Sequence, residues 1–94
     1  MDRTLSPLLD ALRGQVVVVD LSSEYVCIGT LTGADRSFLD IRDADLHDLR
    51  DSSKNRETYV YDSARLGVRR NRTRVLLRKA EVVAVSLLSD IMET

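Results

Sequence analysis

Between Arg65 and Lys79 the chain places seven basic residues and no acid: Arg65, Arg69, Arg70, Arg72, Arg74, Arg78 and Lys79. Guanidinium groups at this density suit phosphate, because each stays charged and offers its donors in a planar fork. Residues 35 to 51 are the opposite, with six aspartates against three arginines. A chain polarised this way steers an anion to its basic face, or docks that face on the acidic face of a neighbour. Both readings stand on composition alone. No aromatic residue lies among the arginines of 69–74, so only guanidinium planes could stack on a base there.

Other chemistry finds little support. His47 sits among aspartates in "DADLHDL", without further ligands at metal spacing, and reads as a solvated loop histidine. Cys27 is the only cysteine. It reads as a small core residue with no activating partner, excludes an intrachain disulfide and favours a reducing compartment. There is no Ser-His-Asp set, no phosphate-cradling glycine loop and no metal spacing, so neither an enzyme nor a cofactor is expected. With no membrane-length apolar run and no signal-peptide hydrophobic region, a cytoplasmic protein without a membrane partner is expected.

The elements that must position these residues follow from periodicity. Ninety-four residues, 44 % of them hydrophobic, predict a single domain over 1–94 with a limited core, which association with copies of itself would extend. Phe38, Tyr25, Tyr59 and Tyr61 are the only aromatic side chains of Phe, Tyr or Trp type, so the core is built from Val, Leu and Ile. Leu5, Leu8, Leu9 and Leu12 recur with a helix's period, Ser6 caps, Pro7 suits the first helical position and Gly14 stops. A helix over about 4–13 results.

The period then becomes two. Strands are predicted over about 15–21, 24–33 and 37–44, with Gly29 marking a bend or a close backbone approach. Residues 45–72 lose the pattern and read as a long flexible loop, in which "TYVYDSARLGV" is either a strand or a helical turn. "TRVLLR" and "EVVAVSLL" resume as strands over about 73–78 and 81–88. The tail "SDIMET" is expected to fray.

A short helix, three strands, a long connection and two strands is an order that resembles the Sm and Sm-like (LSm) family. Gly14, Val16, Val18, Leu21, Tyr25, Gly29, Leu31, Gly33 and Asp35 follow its first motif with near-matching spacing, and Leu77, Arg78, Lys79, Ala80, Glu81, Val82 and Val85 its second. The resemblance covers almost the whole chain. It implies a mostly β fold, an N-terminal helix followed by a strongly bent five-stranded antiparallel β-barrel, with a long variable connection between strands 3 and 4. It further implies a homo-oligomeric ring of the prokaryotic type, closed by pairing strand 73–78 of one copy with strand 81–88 of the next.

The family's RNA site combines a stacking side chain, an Asn and the Arg of the second motif. Aligned on "FLDI", Phe38 takes the stacking position and Asp40 the Asn position; aligned strictly from Asp35, those positions fall on Ser37 and Leu39. Arg78 matches the motif arginine, and Lys79 replaces its glycine. An Asp cannot donate to a uracil carbonyl and repels phosphate, whereas Arg78 attracts phosphate or pairs with Asp40. The expected function is a ring that binds single-stranded RNA with weak or altered specificity through Phe38, Asp40, Arg78, Lys79, Arg69, Arg70, Arg72 and Arg74. The alternative is a structural ring that has lost RNA binding and holds a protein partner with 45–72.

Overall fold

Four consecutive valines, Val16–Val19, cannot alternate apolar with polar, so a strand made of them needs cover on both faces. The computed structural model, which describes residues 6–92, supplies both covers. In β1 (Val16–Leu21), Val17 and Val19 enter one apolar cluster with Cys27, Leu31, Leu39, Ile41 and Leu77, while Val18 enters a second with Val26, Ile28 and Val60.

The remaining strands are β2 (Tyr25–Ala34), β3 (Phe38–Asp48), β4 (Arg72–Arg78) and β5 (Val82–Leu87). They form a five-stranded sheet in the order β4-β3-β2-β1-β5, antiparallel throughout. The two outermost strands are joined only by the 3-10 turn Lys79–Glu81. Laid flat, they would lie about 19 Å apart at about 4.8 Å per strand, whereas three residues of 3-10 turn rise about 6 Å. The sheet must therefore curl until its ends approach, as the expected strongly bent sheet requires.

Gly29 provides the bend. Asp43 and Ala44 of β3 together oppose this one residue in the register between Ile28↔Asp45 and Thr30↔Arg42, a bulge in which Asp43 takes φ +49°. A Cβ on Gly29 would lie 2.6 Å from Ile41 Cγ2 and 2.9 Å from both the Ala44 Cα and the Arg42 carbonyl oxygen. Only glycine lets the strands cross this closely.

The N-terminal helix α1 (Pro7–Asp10) is shorter than the expected 4–13. Ser6 caps it by accepting the Leu9 N–H at 3.1 Å, and residues 11–14 continue as turns. The leucine stripe is only half used. Leu9 and Leu12 pack on the first cluster, Leu8 is 84 % exposed, and Leu5 lies outside the described residues.

The connection between β3 and β4 corrects the expectation of a flexible loop over 45–72. Residues 45–48 extend β3, pairing as far as Tyr25↔Asp48, so His47 is a strand residue rather than a solvated loop histidine. After the 3-10 turn Leu49–Asp51, residues Arg56–Leu66 form helix α2. Asn55 caps it by accepting the Thr58 N–H at 2.8 Å, and Gly67 ends it at φ +106°, a conformation L side chains rarely adopt. Val60 and Tyr59 seat α2 on Val18, Val26 and Ile28, and Leu88 and Ile91 close that cluster from the C-terminal end. No helix among the described residues is long and apolar enough to cross a membrane.

Candidate nucleic-acid interface

The hairpin between β2 and β3 is built by Asp35. Its carboxylate accepts the N–H groups of Ser37 and Phe38, both at 2.8 Å, and its own N–H donates to the Phe38 carbonyl at 3.0 Å. The Phe38 and Ser37 amides hold the Asp35 carboxyl below its ordinary range. This turn sets the phase of β3: Leu39 is 1 % exposed in the core, so Phe38, 38 % exposed, and Asp40 face outward. Of the two sequence alignments, the burial pattern fits the one on "FLDI", because Leu39 is occupied with core packing.

The second motif meets the first here. The Lys79 N–H donates to the Ser37 carbonyl at 2.8 Å, which pins the β4–β5 turn to the hairpin. Phe38 stands directly opposite Arg78 in the β3–β4 register, and opposite residues of a ladder project from the same face. Phe38, Arg78 and Lys79 are thereby gathered at one end of the sheet. Among the described residues the Arg78 side chain makes no hydrogen bond or ion pair. Leu76, 49 % exposed, lies on the same face and helps to line a shallow cleft of about 240 Å³ with Phe38, Asp40 and Arg74.

Asp40 does not pair with Arg78. Its carboxylate receives Arg74 Nε at 2.9 Å and Nη2 at 3.1 Å, with Arg42 Nη2 at 3.7 Å. The Arg74 hydrogen bonds, reinforced by the charges of Arg74 and Arg42, hold the Asp40 carboxyl below its ordinary range. Two arginines are thus spent on the aspartate that stands where the resemblance places an Asn. Arg72 opens β4 at the end far from Arg78, some six residues or about 20 Å along the strand. The eight residues expected to act together are therefore divided, with Arg69, Arg70 and Arg72 away from the Phe38 cluster.

Arg69 and Arg70 instead line a cavity of about 780 Å³ between the end of β3, α2 and residues 67–71. Sequence reasoning missed this site. Asp45, 5 % exposed, accepts hydrogen bonds from the Tyr59 hydroxyl and from Asn71 Nδ2 at 3.2 Å. Asn71 also bridges the backbone of Leu46, accepting its N–H at 3.0 Å and donating to its carbonyl at 3.1 Å. The His47 ring stacks on Tyr59 with centroids 4.0 Å apart, and its Nε2 is buried without a partner among the described residues. Burial pushes the Asp45 carboxyl up, against the opposing pull of His47 and Arg69. The arrangement fastens α2 to β3. The signal for it was an Asp, a His and a Tyr in a chain otherwise poor in aromatics, but their meeting depends on α2. Cys27 is buried, and that burial, followed by the charge of Asp45, pushes its thiol up to about 12, far from a reactive thiolate.

No family model and no curated protein matches this chain. Among solved structures, an Sm-like protein (AF-Sm2) from Archaeoglobus fulgidus matches it at 17 % identity with a TM-score of 0.57, over 89 % of this chain and 96 % of that one. The chain has an Sm-like fold, with α2 laid over the outer face of its sheet.

Proposed function

We propose that this chain builds a ring of identical copies by pairing β4 of one with β5 of the next, and that the ring presents Phe38, Arg78 and Lys79 of every copy to single-stranded RNA. The observation that carries the reading is the sheet order. β4 and β5 are its two ends, each with an outer edge unpaired among the described residues, and each bears an exposed apolar residue, Leu76 at 49 % and Val83 at 69 %. Open apolar edges of this kind are covered by another strand or invite aggregation. Head-to-tail pairing of two different edges closes into a ring when the rotation permits.

Repetition multiplies the Phe38–Arg78 cluster, offering an aromatic face for a base and an arginine for a phosphate at each copy. Asp40, an acceptor clamped by Arg74, supplies no amide to read a base edge. Contact is therefore through stacking and charge, with weak preference among bases. The role is non-catalytic, and a structural ring holding a protein partner is the second reading. It draws on Leu66, 69 % exposed at the end of α2.

Native mass spectrometry of the purified chain, titrated with a short U-rich single-stranded RNA, tests the proposal. A ring that takes up RNA supports it. A ring that ignores RNA shifts the function to the protein-binding alternative, and a monomer at all concentrations removes the ring itself.

A further inference from the structure

The cavity of about 780 Å³ between the end of β3, α2 and residues 67–71 has a volume within the range of small-ligand sites. Its back wall is fixed. Asp45 accepts from the Tyr59 hydroxyl and from Asn71 Nδ2, and the His47 ring stacks on Tyr59, so these side chains are already engaged. The segment that carries the arginines is tied at both ends. The Gly67 N–H donates to the Ser63 carbonyl at 3.0 Å, and the Asn71 N–H to the Ala44 carbonyl at 2.8 Å. Arg69 and Arg70 are thus presented from braced backbone rather than from a free loop.

The polar groups of the lining are unequally used. Asp62 is taken by Lys54 at 2.5 Å and Arg65 at 3.5 Å. Among the described residues Arg69 meets only the charge of Asp45, and Arg70 meets no partner. Ser52 Oγ accepts the Lys54 N–H at 3.0 Å, but the Ser52 and Ser53 hydroxyls donate to nothing among the described residues. Asp51 is the one lining carboxylate without a partner among them. The surplus is therefore of donors: two guanidinium forks and two hydroxyls against one open carboxylate. A phosphate monoester has three terminal oxygens to share between two forks, whereas a carboxylate fills only one. Leu66, 69 % exposed, adds apolar surface for the group that carries the phosphate.

We propose that this cavity binds a phosphate monoester, with Arg69 and Arg70 on the phosphate and Leu66 against its organic body. A nucleoside monophosphate and the 5′ end of an RNA share that chemistry. The site is separate from the Phe38–Arg78 cluster, so either can fail without the other. Asp51 opposes the anion, and its removal gives a test of opposite sign.

Equilibrium dialysis of the full chain against radiolabelled uridine 5′-monophosphate reads the affinity, with uridine as the phosphate-free probe. The nucleotide should be retained and uridine should not. Arg69→Gln with Arg70→Gln should weaken retention about tenfold or more, and Asp51→Asn should strengthen it. Arg13→Gln removes a positive charge in the turns after α1 and should change nothing. The four altered side chains lie on exposed residues or in turns, and thermal unfolding by circular dichroism should match the parent chain. No retention at millimolar nucleotide overturns the site, as does equal retention of uridine. An affinity unmoved in the double arginine variant also overturns it. A U-rich RNA with a 5′ phosphate, compared with its 5′-hydroxyl form, then names the source. Tighter binding of the phosphorylated form, lost in the arginine variant, assigns the RNA end; equal binding of both forms, with the nucleotide still retained, assigns the free nucleotide.

Discussion

Arg74 closes on Asp40 in a two-point clamp, Nε to Oδ1 at 2.9 Å and Nη2 to Oδ2 at 3.1 Å, across the β3–β4 ladder. The same two oxygens would otherwise face a nucleic-acid strand as a bare negative charge. The clamp neutralises the aspartate and simultaneously withdraws an arginine from phosphate. Because Arg74 holds Asp40 below its ordinary pKa, the pair contributes stability above the unfolded value and loses it only as pH falls through the lowered one.

Asp40→Asn removes the charge and releases Arg74. RNA affinity is expected to rise about tenfold at physiological salt, read by fluorescence anisotropy with a labelled U-rich oligonucleotide. An unchanged or lower affinity would place the RNA elsewhere.

Arg78→Ala and Phe38→Ala separate charge from stacking. The first should weaken binding across all sequences and make the slope of log K against log salt shallower by about one for each phosphate that Arg78 neutralises. The second should cost about 1–3 kcal/mol per stacked base with little change in that slope. If neither variant alters affinity while the parent chain binds, the Phe38–Arg78 cluster is not the interface.

Tyr59→Phe deletes one donor to the buried Asp45 carboxylate. Unfolding by urea should show a loss of about 1–3 kcal/mol at neutral pH. A loss near zero would mean that α2 is held by Val60 and its apolar neighbours alone.

Asp45 also predicts a pH effect. Burial raises its folded pKa above the ordinary carboxylate value, so the folded chain binds the proton more tightly than the unfolded one. Its favourable contribution is fully present below the unfolded value and is lost as pH rises through the folded one. Asp45→Asn should therefore gain on the parent chain as pH rises from about 4 towards neutrality in paired urea titrations. A difference independent of pH contradicts the raised value.

Gly29→Ala places a Cβ within 2.9 Å of two backbone atoms that cannot turn aside. The expected loss is about 3 kcal/mol or more, seen as a lower thermal midpoint by circular dichroism. A midpoint indistinguishable from that of the parent chain would show that the bulge at Asp43 can move.

The strand content of this protein is legible along the chain because strand signals are local. β-branched runs, the hairpin sites and Gly29 all report on neighbours within a few residues. The helix α2 is not legible in the chain, which leaves "TYVYDSARLGV" open between a strand and a helical turn, because Tyr59, Val60 and Ser63 are its few inward side chains and leave no clear apolar stripe. The four valines of β1 carried the complementary hint, a strand with two buried faces, without saying what covers the second.

By itself, the sequence determined the order of the strands, the bend at Gly29, the inert core Cys27 and the separation of basic from acidic stretches. The tertiary structure decided which charges meet. A carboxylate chooses among several arginines by register and face, and those depend on how β3 is phased by the Asp35 turn and where α2 docks. Asp40 meets Arg74 because the β3–β4 register sets Asp40 opposite Leu76, two positions from Arg74 and on the same outward face, a relation between residues 34 positions apart that no local pattern encodes.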